Sequence, residues 1–369
     1  MSGPSDKLSL PFERSQRRGV DLGYIPLHGR FLHVMLDVVE RCNLRCLHCA
    51  FVWWRDEKLT GARMSEELVE RIGREVFPHT ARLSLSCFHE PLIAPNRLLG
   101  VLEQARRANI GYIDMISNGL MFTERMAEKL LAGGLKRLYF SVDGATPETY
   151  ARVRVGGDLE TFKEKVALVV DTRRRLGLGP DDVTLSFIFV AMKSNLADAP
   201  LLVDLAADLG VDVVELRYLS KSDVAEISDD EVLWNVRDEA DACFDAALRR
   251  AEARGIDLQG LPPRFHELES MKARYPEGRG DYAVNCGFPW NTIVLSPKGH
   301  LLPCCLWHGD DHLDSIENRP FNEVWNGYAL RGLRRELCGG RLHTPACKDC
   351  LVQRPMWTQE FWDTYSFRQ

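Results

Sequence analysis

The stretch Glu40–Cys49, which reads ERCNLRCLHC, carries three cysteines in a C-x3-C-x2-C spacing directly after a β-like run, Phe31–Val39. Three thiolates on one short loop can hold three irons of a 4Fe–4S cluster and leave the fourth iron open to another ligand. A disulfide framework is a poor alternative, because the chain is far larger than disulfide-stapled miniproteins. A structural zinc site is also a poor match, because such sites prefer paired C-x2-C units.

This cysteine motif resembles that of the radical S-adenosylmethionine (SAM) enzymes. In that family the open iron chelates SAM, and an electron from the cluster cleaves SAM to a 5′-deoxyadenosyl radical that abstracts hydrogen from the substrate. The resemblance implies SAM, a 4Fe–4S cluster and an external electron donor such as flavodoxin or ferredoxin. It assigns the cluster to Cys42, Cys46 and Cys49.

The composition of the 369-residue chain, with 45% hydrophobic and 27% charged residues, is that of an ordinary globular protein. The net charge of −6 gives no support for a nucleic-acid surface. No apolar run approaches the ~18 residues of a membrane span, and the polar N-terminal tail lacks the apolar segment of a signal peptide. We therefore expect a cytoplasmic protein without nucleic-acid or membrane partners, whose cysteines ligate metal.

Strand and helix signals alternate between about residues 31 and 220, which implies parallel strands with right-handed crossovers. We expect Ser65 to begin a helix, and Asp198 and Gly210 to cap the two ends of the helix at 199–209. The resemblance supplies the closure, an α/β fold built on a partial (β/α)6 barrel with its chemistry at the carboxyl ends of the strands. The predicted strands are Phe31–Val39, Leu83–Ser86, Tyr112–Ile116, Arg137–Val142, Val183–Val190 and Val211–Leu216.

Short motifs at the predicted strand ends resemble the SAM-lining motifs of the family. Phe88-His89-Glu90-Pro91 stands where the family has a Gly-Gly-Glu-Pro-like motif, with Phe88 and His89 in place of the glycines. Ser117-Asn118-Gly119 and Ser141-Val142-Asp143-Gly144 end the next two strands, and His48 stands where the family often has an aromatic residue beside the adenine. The resemblance thus assigns SAM binding to His48, Glu90, Ser117, Asn118, Ser141 and Asp143. The alternatives are a solvated acid, ordinary turns and a surface imidazole.

Two further residues near these strand ends are candidates for substrate chemistry. Cys87 could return a hydrogen atom to a substrate radical, or it could be a small buried hydrophobic residue. Arg217, after the sixth strand, could pair with an anionic substrate group or form a salt bridge to a nearby acid.

A second group of cysteines lies in the C-terminal region, with Gly299 placed for a hairpin turn between Thr292–Leu295 and Leu301–Leu302. It resembles the SPASM/twitch extension of radical SAM enzymes, and the absence of cysteines after Cys350 favours the twitch version with one auxiliary 4Fe–4S cluster. Four thiolates would fully ligate that cluster, which points to electron transfer. Zinc is the alternative metal, and Cys305 could replace Cys304 as a ligand. The proposed ligands are Cys286, Cys304, Cys347 and Cys350.

These assignments divide the chain into four predicted parts. They are an N-terminal extension (1–30), the partial barrel (31–225), a helical connector (226–280) and a small twitch-like iron–sulfur domain with a tail (281–369).

The sequence favours a radical SAM oxidoreductase that dehydrogenates a small molecule such as a sugar or cyclitol, because an auxiliary cluster can accept the electron of a substrate radical. One alternative is a peptide-modifying maturase. Another is a redox-neutral epimerase in which Cys87 or Cys338 returns the hydrogen atom. A protein of another class, with two structural zinc sites and no activity, is the fourth.

Overall fold

One ten-stranded sheet organises the part of the chain that the computed structural model describes. The described residues are 21, 23–49, 60–219, 228–260, 264–267, 286–307, 312–339, 343–348 and 350. The strands are β1 Leu32–Leu36, β2 Thr80–Ser84, β3 Tyr112–Ser117, β4 Arg137–Ser141, β5 Thr184–Ala191, β6 Val213–Tyr218, β7 Asp257–Gln259, β8 Thr292–Leu295, β9 His300–Leu302 and β10 Asp314–Ser315.

The six predicted strands are present as β1 to β6 and lie side by side in chain order, each parallel to the next. This confirms the mixed α/β class and its parallel core. β1 and β6 do not pair with each other; β1 pairs with β8 and β6 with β7, so the barrel stays open. The largest differences from the predicted bounds are that β1 ends at Leu36 and β2 starts at Thr80, each three residues away; the other bounds agree within two residues. The short strands β7 and β10 were not predicted.

Helices connect the strands and cover the sheet. Ser65 caps the first of them as predicted, its Oγ accepting from the Leu68 N–H at 3.1 Å, and Gly210 ends the sixth with a φ of 76°. The prediction that Asp198 caps the sixth helix is wrong. Its carboxylate instead accepts the N–H groups of Ala145 and Thr146, in the loop after β4. The helices are α1 Glu66–Glu75, α2 Pro95–Arg107, α3 Glu124–Leu131, α4 Pro147–Val153, α5 Leu159–Arg175, α6 Ala199–Leu209, α7 Arg237–Arg254, α8 Phe288–Asn291, α9 Phe321–Trp325, α10 Tyr328–Gly339 and α11 Pro345–Lys348.

The C-terminal region is attached to the barrel through the sheet itself. The predicted hairpin is present as the antiparallel pair β8–β9, and Gly299 turns it with a φ of +79°. Because β8 runs parallel to β1, this hairpin extends the sheet on the side of the strand that precedes the cysteine loop. The buried Arg334 on α10 donates to the carbonyls of Pro289 and Trp325, which ties α10 to α8 and α9.

The four-part division of the chain stays a prediction. The connector contains α7 and β7, but most of its predicted linker, residues 260–280, lies outside the described residues, as does the tail from 351 onward. In the described part of the chain, no helix is long and apolar enough to cross a membrane.

Candidate active site

The first four parallel strands end at one edge of the sheet, and the residues that follow them converge there. The cysteine loop follows β1, the Glu90 motif follows β2, Ser117 ends β3, and Asp143 follows β4. Parallel strands necessarily place such loops together, which is why open α/β sheets bind ligands at this edge.

The cysteine loop is held by backbone hydrogen bonds to the last residue of α4 and to the segment that follows it. The N–H groups of Arg45 and Leu47 each donate at 2.9 Å, to the carbonyls of Val155 and Val153. Cys46 is buried with 6% exposure, and Cys42 and Cys49 are partly exposed. All eleven cysteines are free thiols, so the disulfide alternative is wrong.

Arg154 lies directly behind this loop and was not identified from the sequence. Its guanidinium donates to the Cys46 Sγ at 3.4 Å and lies 2.6 Å from the Asp143 carboxylate. Burial raises the pKa of Cys46 to about 11, and the charge of Arg154 opposes that shift. Burial lowers the pKa of Arg154, but Asp143, Cys46 and Tyr150 together raise it above its usual range. Nothing in the sequence distinguishes the buried Arg154 from the nearby Arg152, which is exposed.

Asp143 and His48 form the wall beside Arg154. Asp143 is fully buried, and its Oδ1 accepts the Val190 N–H at 2.8 Å. The His48 Nε2 lies 3.7 Å from the Asp143 Oδ2, and the His48 side chain is 16% exposed, so the surface-imidazole alternative is wrong. Burial lowers the pKa of His48, which therefore favours the neutral ring.

Glu90 ties three of the converging loops together. It is 2% exposed, so the solvated-acid alternative is wrong. Its carboxylate accepts from the Ser117 hydroxyl at 2.9 Å, the Asn118 N–H at 2.8 Å and the Leu92 N–H at 3.1 Å. Its own N–H donates to the carbonyl of Arg41 at 3.0 Å, which anchors the cysteine loop. Burial raises the pKa of Glu90 to about 7, against these hydrogen bonds.

Asn118 continues this connection to the first cysteine. Its amide nitrogen donates to the Asn43 side chain at 2.8 Å and lies 3.8 Å from the Cys42 Sγ. Ser141 ends β4 at the same edge, with its backbone paired to Ile188.

Asp37 holds in place the loop in which Phe88 and His89 stand at the positions of the family's glycines. This buried carboxylate follows β1 and accepts the N–H groups of Cys87, Phe88 and His89 at 3.0 to 3.3 Å. The His89 ring also lies 3.3 Å from it. The loop after β2 is therefore fixed from β1. Asp37 was not identified from the sequence.

A group of buried polar atoms around Cys46 makes no hydrogen bond within the described protein. They are the His48 Nδ1, the Tyr150 hydroxyl and the Arg154 Nε. Buried polar groups nearly always have partners. These donors and acceptors beside three free thiols therefore fit a polar ligand, and SAM offers an amine, a carboxylate and ribose hydroxyls.

The four C-terminal cysteines of the prediction line one small apolar cavity. Its other walls include Pro289, Leu306, Trp307 and Leu333. Cys304 lines this cavity and Cys305 does not. Burial raises the pKa of Cys305, and the nearby charge of Arg217 opposes that shift. Burial raises the pKa of Cys347 to about 12, and that of Cys304 is raised further. A bound metal reverses this, since a coordinating thiol is deprotonated outright.

Cys87 lies near the C-terminal thiols. Its Sγ is 3.9 Å from the Met35 Sδ, and Cys304 and Cys305 are close enough to act on it electrostatically. Burial raises the pKa of Cys87 well above its usual range. Arg217 forms the salt bridge that the sequence left open, at 2.6 Å from Glu215.

Two family models match the chain. The radical SAM superfamily matches residues 36–206, and SPASM, described as an iron–sulfur cluster-binding domain, matches residues 286–351. The two cysteine groups fall one in each match. The chain is a radical SAM enzyme with a SPASM-type C-terminal domain.

This radical SAM enzyme therefore binds SAM and a 4Fe–4S cluster in its barrel and auxiliary iron–sulfur in its SPASM domain. The alternative of an inactive protein with two zinc sites is wrong. Among the described residues no three His, Cys, Asp or Glu side chains converge on a single ion, and a cluster does not require this, because it distributes its thiolates over several irons.

Known relatives of this radical SAM enzyme include cyclases of two kinds. A probable GTP 3′,8-cyclase of Methanococcus maripaludis is 24% identical over 77% of this chain and 87% of its own length. A PqqA peptide cyclase of Streptomyces rochei is 25% identical over 85% of this chain and 82% of its own length. Streptococcus suis SuiB bound to its precursor peptide SuiA shares the fold, with a TM-score of 0.62 and 12% identity over 90% of this chain and 72% of that chain.

Proposed function

We propose that this radical SAM enzyme modifies a peptide, as a maturase. The observation that carries the proposal is the relationship to a PqqA peptide cyclase over 85% of the chain. The fold shared with SuiB, whose structure contains a precursor peptide, supports it. Dehydrogenation of a sugar or cyclitol, which the sequence favoured, has less support, and so does the oxidoreductase subtype.

Two arginines at this edge of the sheet are better suited to a peptide than to the triphosphate of GTP. A triphosphate is bound by free cationic groups and backbone N–H groups. Arg154 and Arg217, which lie at this edge of the sheet, are each paired with a carboxylate, Asp143 and Glu215. Neither arginine therefore offers a free charge to a polyanion.

The barrel site has a proposed division of labour. Cys42, Cys46 and Cys49 hold the cluster, and SAM bound beside it supplies a 5′-deoxyadenosyl radical when an external donor such as flavodoxin or ferredoxin provides the electron. The loops that carry these thiols are kept in place by Asp37 and Glu90, whose hydrogen bonds link β1, β2 and β3. The residues proposed to line SAM are His48, Glu90, Ser117, Asn118, Ser141 and Asp143.

The proposed SAM contacts have unequal support. His48 presents a buried Nδ1 without a hydrogen bond, and this atom can pair with a polar group of SAM. The two oxygens of Asp143 already lie against the Val190 N–H and the Arg154 guanidinium. The carboxylate of Glu90 already accepts three hydrogen bonds from the protein. We therefore assign Glu90 mainly to fixing the pocket wall.

The C-terminal cysteines are proposed to hold one auxiliary cluster, with Cys304 rather than Cys305 as the ligand. Cys286, Cys347 and Cys350 complete the set, and four thiolates leave no iron open to substrate, so the cluster carries electrons. Cys87, after the end of β2 and near Cys304 and Cys305, is the proposed donor that returns a hydrogen atom to a substrate radical, which would give epimerisation. Arg217 stays a candidate for contact with the substrate, and Cys338 is a less favoured hydrogen donor.

The experiment follows deuterium from substrate into 5′-deoxyadenosine. The anaerobically reconstituted enzyme is reduced with SAM in separate reactions that contain deuterated peptides, deuterated GTP or deuterated sugars and cyclitols. The peptides are short ones encoded beside the gene of this protein. We expect deuterium to enter 5′-deoxyadenosine from a peptide, together with a mass change in that peptide.

Two results would contradict the proposal. Deuterium that enters from GTP alone would favour nucleotide cyclisation, and deuterium from a sugar or cyclitol alone would restore dehydrogenation. Uptake of solvent deuterium by an otherwise unchanged peptide would support the epimerase version, and its loss in the Cys87→Ala variant would assign the donor.

A further inference from the structure

Arg154 is a buried cation whose charge is directed at one cluster cysteine. Its side chain is 9% exposed, and one terminal nitrogen donates to the Cys46 Sγ at 3.4 Å. The other terminal nitrogen lies 2.6 Å from the Asp143 carboxylate. A buried guanidinium is costly unless it is paired and hydrogen-bonded, so this arrangement has to be supported by its surroundings.

The surroundings hold Asp143, and thereby Arg154, in one position. The Asp143 Oδ1 accepts the Val190 N–H, and the Asp143 carbonyl accepts from the Asn195 amide at 3.1 Å. Asn195 is itself buried and accepts the Met192 N–H. The carboxylate is thus held behind the guanidinium, and the guanidinium faces the sulfur.

Reduction adds one negative charge to an iron–sulfur cluster, and hydrogen bonds to its sulfurs and nearby charges set its reduction potential. A donor with a positive charge at a ligating sulfur stabilises the reduced cluster more than the oxidised one. Arg154 should therefore make the cluster easier to reduce.

We propose that Arg154 is a positioning residue that sets the reduction potential of the barrel cluster through its hydrogen bond to Cys46. This rests on the proposed ligation by Cys42, Cys46 and Cys49, and is independent of the peptide substrate. It is separate from any contact that Arg154 makes with SAM, because the hydrogen bond is to the protein's own sulfur.

The test is an EPR-monitored redox titration of the full-length reconstituted enzyme without SAM or substrate. The barrel cluster is identified as the signal that SAM addition alters. In Arg154→Gln we expect the one-electron equilibrium to shift at least tenfold toward the oxidised cluster, which is about 59 mV to lower potential. Arg154→Lys keeps the charge but loses the planar fork, so its potential should lie between those of Arg154→Gln and the wild type.

Arg173→Gln is the matched control. Arg173 is also buried, is paired with Asp212, and donates to the Val183 carbonyl. Val183 precedes β5, so this contact lies at the amino ends of the strands, opposite the edge that carries the cysteine loop. Its loss should reduce stability to a similar degree while leaving the potential unchanged.

Three outcomes are decisive. An unchanged potential in Arg154→Gln with full iron content would overturn the proposal, and so would an equal shift in Arg173→Gln. If Arg154→Gln fails to load iron, Arg154→Lys decides, and an unchanged potential there would overturn it. Failure of the ligand assignment is recognised separately, because the SAM-sensitive signal would then persist when Cys46 is replaced by alanine.

Discussion

The two cysteine groups of this protein lie in contrasting surroundings. The barrel group is bordered by charged and polar side chains, several with atoms that make no hydrogen bond within the described protein. The C-terminal group lines an apolar cavity with walls of proline, leucine and tryptophan. The groups also differ in the number of thiols, with three in the barrel and four in the C-terminal region.

This difference indicates which centre exchanges ligands. A site with an incomplete thiol set and unsatisfied polar groups is suited to a polar cosubstrate. A saturated thiol set in an apolar cavity excludes both water and substrate, which suits electron transfer. Substitutions in each group can test whether the barrel centre binds the cosubstrate and the C-terminal centre transfers electrons.

The largest expected effect separates the two groups by SAM cleavage. Replacing Cys42, Cys46 and Cys49 by alanine should lower the iron content by about half and reduce 5′-deoxyadenosine formation to background. Replacing Cys347 and Cys350 should lower iron similarly but leave SAM cleavage in place. Iron analysis and an anaerobic 5′-deoxyadenosine assay measure both effects. Cys243→Ala, on α7 and outside both groups, is the control and should change neither.

The next prediction separates two adjacent cysteines. Because Cys304 lines the apolar cavity and Cys305 does not, Cys304→Ala should lose the auxiliary cluster, and with it product formation but not SAM cleavage. Cys305→Ala should retain the cluster. The readouts are iron content and the EPR spectrum of the reduced enzyme. Cluster loss in Cys305→Ala together with retention in Cys304→Ala would reverse the assignment.

The contrast between the two regions also explains what the sequence could predict. The alternation of strands and helices and the position of Gly299 are local patterns, and they predicted the parallel core and the β8–β9 hairpin. The grouping of Glu90, Ser117 and Asn118 was predicted from the resemblance to the radical SAM family. Arg154, Asp37 and Asp198 act on partners far away in the chain, and nothing local distinguishes a buried arginine or aspartate from an exposed one. The apolar walls of the C-terminal cavity also escaped prediction, because they come from α8, α10 and the loop after β9.

Glu90 offers a pH test of the polar side of the comparison. Burial raises its pKa from 4.5 to about 7 in the folded protein. The native state thus binds more protons than the unfolded state between these values, so its contribution to the free energy of unfolding falls as pH rises through this window. The loss is about 3 kcal/mol. Relative to Glu90→Gln, the wild-type apoprotein should therefore lose stability between pH 5 and pH 8.

Urea unfolding of the apoprotein at the two pH values measures this difference. Glu103→Gln, which replaces an exposed acid on α2, is the control and should give a much smaller change with pH. A wild-type advantage over Glu90→Gln that grows between pH 5 and pH 8 would mean that its hydrogen bonds outweigh burial.

The smallest expected effect is at Arg217, which is close enough to Cys305 to act on it electrostatically. Its salt bridge to Glu215 involves a side chain that is 46% exposed, so Arg217→Gln should lower stability by only about 0–1 kcal/mol. If Arg217 contacts the substrate, KM should rise about tenfold, which corresponds to about 1.4 kcal/mol of binding, with little change in kcat. Arg175→Gln, which removes a similarly exposed arginine that is paired with Glu124 on the outer helices, should give a comparably small stability loss and leave KM unchanged. Equal KM values in the two variants would place Arg217 outside the substrate site and leave Cys87 as the remaining candidate for contact with the substrate near the C-terminal thiols.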